Sequence, residues 1–119
     1  MTEKKEAIKK LRDLFAKKRP ILKTDENGIT NDNENLYTKL AEELDKINAY
    51  DSNYLENFEK IKGKDYPSKM KHVNDLTLNE CCTLLTFNLR GERHSPGFFY
   101  GAVNEGDILK LLDRAYEIA

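Results

Sequence analysis

Arg90-Gly91-Glu92-Arg93-His94-Ser95-Pro96-Gly97-Phe98-Phe99 gathers three formal charges, a histidine, a hydroxyl, two glycines and two aromatic rings within ten residues. Arginine forks onto carboxylate or phosphate, and N–H groups at the start of a following helix would point at the same anion. The same residues also suit a structural role. Glu92 can pair with one arginine while the other covers carbonyls at a helix C-terminus, with Gly91 permitting a left-handed turn. The two uses are compatible, one arginine being oriented by Glu92 and the other binding. Arg90, Glu92, Arg93, His94 and Phe98 are therefore the candidate ligand-binding residues, for an anion or a partner protein.

His94 has the side chain best suited to proton transfer near neutral pH, and Glu92 or Ser95 could complete a general base or an activated hydroxyl. No G-x-S-x-G elbow surrounds Ser95, which reads better as the cap of a short helix with Pro96 in its first turn. A hydrolase built on Glu92 and His94 is the third-ranked expectation, and no catalytic residue is assigned. The only other histidine is His72, and Cys81-Cys82 are adjacent, so neither C-x-x-C nor H-x-x-x-H spacing exists for a metal. No cofactor is expected, because the scattered glycines form no phosphate loop. Phe98, Phe99 and Tyr100 cannot all face one way on a helix; two should enter the core, and an exposed third beside Arg93 would make a docking patch.

Two apolar helical patterns must position this junction. Thr77-Leu78-Asn79-Glu80 matches the capping box, and the helix it opens carries Leu78, Cys81, Leu85 and Leu89 on one stripe with Leu84 and Phe87 beside it. That apolar circumference places this fourth helix at the centre of the core. After the junction come a short helix at Gly97–Val103 and a final one from about Gly106 to Ile118. Upstream, a basic first helix spans residues 3–18 and stops before Pro20. A polar connector at Lys23–Glu34 reads as a loop, with room for a tiny hairpin at Asn27-Gly28. The second helix, capped by Asn33, carries Leu36, Leu40, Leu44 and Ile47. The third starts at Asp51 or Ser52 and ends near Gly63. Lys60–Lys71 reads as a solvated basic loop. The fold class is all-α: a compact orthogonal bundle of five or six helices in a single domain.

The net charge of −1 conceals segregated blocks. Met1–Arg19 carries eight basic residues against three acids, Asp25–Glu59 two against ten, and Lys60–Val73 five against one. A near-neutral total argues against a chain-wide basic field for nucleic acid. The alternative function, a nucleic-acid-associated protein of a mobile-element or phage-defence setting, would use Lys5, Lys9 and Arg12 of the first helix with Lys62 and Lys64 of the loop. No apolar stretch approaches the roughly 20 residues of a membrane span, and no secretory leader is recognisable, so the cytoplasm is expected. The apolar sides of the first two helices make a C2 homodimer an open expectation.

Leu76, Thr77, Glu80, Leu84, Leu85, Arg90, Gly91, Glu92, Arg93, Gly97, Gly106, Leu109 and Leu112 form a pattern that resembles a bacterial family known only as a domain of unknown function, number 6508. The resemblance lies in the C-terminal block (76–118), and Arg90-Gly91-Glu92-Arg93 is its most specific part. His94 stands where that family often has phenylalanine, and Pro96 and Phe98 also depart from its pattern. The resemblance implies a fold unit and a site location, and no chemistry. The expected function is a small binding or interaction module that holds an anionic group or a partner protein at the Arg90–Phe99 junction.

Overall fold

Thr77 and Glu80 cap each other reciprocally: Thr77 N donates to Glu80 Oε1 at 2.9 Å, and Glu80 N donates to the Thr77 hydroxyl at 3.2 Å. This satisfies two N–H groups that every helix start leaves open, and α5 runs from there over Leu78–His94. A computed structural model describes residues 3–119 of the chain, and among them the architecture is all-α. The other helices are α1 (Glu3–Ala16), α2 (Leu36–Lys46), α3 (Tyr54–Lys60), α4 (Tyr66–Met70), α6 (Phe98–Glu105) and α7 (Asp107–Ile118), with a 3₁₀ turn at Val73–Asp75. The radius of gyration, 13.5 Å, is the value expected for a compact chain of this length.

The expected apolar stripes of α1, α2, α5 and α7 face the core, with Leu78 and Phe87 of α5 half-buried, whereas Leu55 of α3 is exposed. Cys81, Leu84, Leu85 and Leu89 of α5 are at most 1% exposed, and α5 packs on α2, α3, α6 and α7. Ile8, Leu11 and Phe15 of α1 are buried, and α1 packs chiefly on α7, whose Ile108, Leu111, Leu112 and Ala115 are closed from solvent. Leu36, Leu40 and Leu44 of α2 complete this core.

Several boundaries differ from the sequence reading, each for a local reason. The first helix ends at Ala16, two residues early, because Arg19 folds back onto the carbonyls of Leu14 and Phe15 and fixes its partner Glu34 at 3.0 Å. Asn33 does not cap α2. Asn35 holds the cap position with a left-handed backbone (φ 54°), and Asp32 accepts from Leu36 N and Tyr37 N. At the other end Asn48 (φ 56°) is left-handed, with Asn48 N on Asp45 O and Ala49 N on Leu44 O, the two bonds of a Schellman close.

The Lys60–Lys71 stretch is not simply a solvated loop. It contains α4, capped by Asp65 accepting from Ser68 N, and Lys69 is only 1% exposed. The Lys69 ammonium donates to the carbonyls of Ile61 and Gly63 and lies 4.6 Å from the Phe58 ring centroid. The polar connector is likewise ordered. Thr24 and Thr30 form an isolated antiparallel bridge, and the strap crosses α6 through Leu22 paired with Asn104 and through Tyr100 OH donating to Asp32 at 2.9 Å.

Candidate functional site

The junction is assembled from the end of α5, the start of α6 and the strap. Gly91 lies within α5 and has no left-handed backbone, contrary to the turn expected there. Its role is closeness: a Cβ on Gly91 would meet Phe98 Cδ2 at 2.6 Å. Gly97 is the residue with positive φ (94°), and it, not Ser95, occupies the cap position of α6. The capping acceptor comes from the preceding helix. Glu92 Oε2 accepts from Gly97 N at 2.8 Å and Glu92 Oε1 from Phe99 N at 2.9 Å. The carboxylate thus supplies the negative charge that a helix N-terminus favours. An external anion, expected at those same N–H groups, would find them occupied.

Arg90 turns away from Glu92. Its guanidinium lies over the Tyr54 ring, 5.7 Å from the centroid. The neighbouring Tyr50, then Tyr54, raise its pKa above the ordinary arginine value, while its Nε is buried without a hydrogen-bond partner among the described residues. Phe98 is half-buried, edge-on to Tyr66 (6.0 Å) and Phe87 (5.7 Å), while Phe99 is fully buried against Tyr37 and Phe15. Neither Phe98 nor Tyr100 is exposed, so the ring patch imagined beside Arg93 is absent.

Arg93 and His94 are exposed, as are Ser95 and Pro96. Arg93 makes no hydrogen bond or ion pair among the described residues, and His94 bonds neither Glu92 nor Ser95. The hydrolase geometry of base and orienter is therefore not assembled. Beside the tip, Tyr66, Phe98, Glu105 and Asp107 line an open cleft of about 450 Å³.

The residues of the nucleic-acid alternative do not form one free basic surface. Arg12 pairs with Asp113, and its guanidinium lies 4.9 Å from the Tyr116 ring centroid, with Lys5 over the same ring at 5.0 Å. Lys9, Lys62 and Lys64 are exposed, whereas Lys69 from the same basic stretch is buried. Among the described residues no cluster of three His, Cys, Asp or Glu side chains could hold a metal, and no helix is long and apolar enough to cross a membrane. Cys81 is buried, and burial pushes its thiol up to about 12.

Sequence reasoning overlooked Asp51 as a hub. Its carboxylate accepts from Thr83 Oγ1 at 2.6 Å, from Asn57 Nδ2 and from Asn53 N, while Asp51 N donates to Thr86 Oγ1 at 3.0 Å. Burial alone would raise its pKa, but the bonds from Thr83 and Asn57 outweigh burial and hold it below the ordinary carboxylate value. Thr83 and Thr86, polar residues inside an apolar helix, were the signal that something polar packs there.

Neither a curated protein nor a solved structure matches the chain. The sequence profile of a family of unknown function, DUF6508, matches residues 6–119, far beyond the C-terminal block that carries the resemblance. The junction and nearly all of the fold that holds it lie within that match, and the chain belongs to this family.

Proposed function

We propose that the chain is a small cytoplasmic binding module of bacteria that docks an acidic segment of a partner protein on the tip formed by Arg93 and His94. One observation carries the reading. Three of the four residues in Arg90-Gly91-Glu92-Arg93 are engaged internally, on Tyr54, Phe98 and the start of α6, and Arg93 is left exposed with no partner among the described residues. The end of α5 holds that arginine on a rigid element, because Glu92 ties α5 to α6 two peptide groups deep. The planar Arg93 guanidinium presents donors in the fork that matches a carboxylate.

The test is fluorescence anisotropy with a labelled Asp/Glu-rich peptide against wild type, Arg93→Ala and Arg93→Lys, each checked for an unchanged melting temperature. The reading expects saturable binding by wild type, a loss of about tenfold or more in Arg93→Ala, the scale of one charge-assisted bond, and partial retention in Arg93→Lys. Equal binding by wild type and Arg93→Ala sinks it, and so does no binding by wild type.

A further inference from the structure

A second cleft, of about 410 Å³, opens between the start of α1, the α2–α3 turn, α3 and the first two turns of α5. Its size is at the lower end of the range for small-molecule sites. Its charges cancel on a simple count, with Lys4 and Lys60 facing Asp51 and Glu80. Charge alone therefore selects no ligand, and the hydrogen bonds decide which polar atoms a ligand meets. Both oxygens of Asp51 are occupied by Thr83, Asn57 and Asn53, and Glu80 is held in the capping box by Thr77 N. The carboxylates are therefore turned toward the protein.

The groups that remain for a ligand can all donate. Lys4 and the side chains of Asn48, Ser52 and Asn79 line the cleft and make no hydrogen bond or ion pair among the described residues. Among the described residues Lys60 pairs with Glu56 alone, at 3.9 Å, and both side chains are 71% exposed, an arrangement that contributes little and is readily exchanged. Half-buried Tyr50 and Cys82 and buried Ala49 supply a less polar wall.

Two ammonium groups, two side-chain amides and a hydroxyl around one cavity match a compact dianion with several acceptor oxygens. Lysine serves such a group as a point charge, and amides and hydroxyls complete the shell. We infer that this cleft binds a small phosphomonoester, its phosphate between Lys4 and Lys60. The site is separate from the Arg93 tip and does not depend on the docking role assigned to it.

The experiment is a ¹H–¹⁵N NMR titration of the full chain with inorganic phosphate and with β-glycerophosphate, at fixed ionic strength. The expected result is saturable shifts at Asn48, Ser52, Asn79 and Cys82, with the ester binding at least as tightly as phosphate. Lys4→Ala and Lys60→Ala should each weaken binding about tenfold, the worth of one charge-assisted bond, and the double variant should abolish it. Both lysines are exposed, so the variants should melt with wild type. Lys9→Ala, which alters an exposed lysine of α1 outside the cleft, and Arg93→Ala should bind as wild type does. The inference is overturned by linear, non-saturating shifts, by equal weakening in Lys9→Ala, or by loss of binding in Arg93→Ala, which would place the anion at the tip.

Discussion

Gly91 and Phe98 are matched across the α5–α6 junction: the ring lies where a side chain at position 91 would start, 2.6 Å from an ideal Cβ. Phe98 cannot simply swing aside, because Tyr66 and Phe87 pack edge-on against it. Two effects oppose each other in Gly91→Ala. Alanine gains about 1 kcal/mol of helix propensity, while overpacking a held ring costs about 1–3 kcal/mol. The second should win, for a net loss of about 1 kcal/mol by denaturant unfolding. Shortening the ring in Gly91→Ala/Phe98→Leu should relieve part of that loss. A Gly91→Ala protein more stable than wild type would show that the ring yields.

Glu92 should matter for stability more than a half-exposed carboxylate usually does. It accepts from the N–H groups of the cap residue Gly97 and of Phe99 in the first turn of α6, which has no other side-chain cap among the described residues. Glu92→Ala should cost about 1–2 kcal/mol, the range of strong N-caps, and raise amide exchange at Gly97 and Phe99 before the rest of α6. Glu92→Gln keeps one good acceptor and loses the charge, so it should fall between the two. A melting temperature unaffected by Glu92→Ala would mean that water replaces the cap without cost.

The sequence disclosed what depends on near neighbours and concealed what depends on distant ones. The Thr77–Glu80 box spans four residues and was legible; so were the buried stripes of α1, α2, α5 and α7, which need only helical periodicity. Ser95 looked like the cap of α6 because capping propensity is a local property. The actual acceptor, Glu92, belongs to the preceding helix and reaches the site only once the α5–α6 angle is set. The lysines of 60–71 looked alike, yet the left-handed Gly63 (φ 118°) curls the chain so that two carbonyls and the Phe58 ring enclose Lys69 alone. Arg90-Gly91-Glu92-Arg93 marks a candidate site in the sequence, but its division into three internally engaged residues and one exposed one depends on Tyr54, Phe98 and the start of α6 and is not legible there.

Asp51 makes stability depend on acid. Its folded pKa lies below the ordinary value of 3.8, so the unfolded chain takes up the proton first as pH falls. The stabilisation from Thr83, Asn57 and Asn53 is accordingly complete well above pH 3.8 and is lost as pH drops through the folded pKa. Asp51→Asn should be less stable than wild type at pH 7, and the gap should narrow on acidification below about pH 4, the ordinary carboxylate range. Denaturant unfolding of both proteins across pH 7 to 2.5 would measure it. A gap that stays constant would show that Asp51 acts through shape and not charge.

Lys69 is the least expected stabilising residue, since its ammonium is buried without a carboxylate. What compensates for its lost hydration is a pair of peptide carbonyls and the face of Phe58, and those carbonyls in turn have Lys69 as donor. Methionine has nearly the same length and volume but cannot donate. Lys69→Met should therefore leave the packing in place and strip a donor from the carbonyls of Ile61 and Gly63, costing about 1–3 kcal/mol. The damage should be local first: limited proteolysis should cut between Ile61 and Asp65 faster than in wild type, while α5 and α7 keep their amide protection. Lys62→Met, at an exposed neighbour, provides the control and should change neither stability nor cleavage. If Lys69→Met were as stable as wild type, the desolvation of the ammonium would equal everything its three partners return, and Lys69 would serve the shape of the α3–α4 turn without stabilising it.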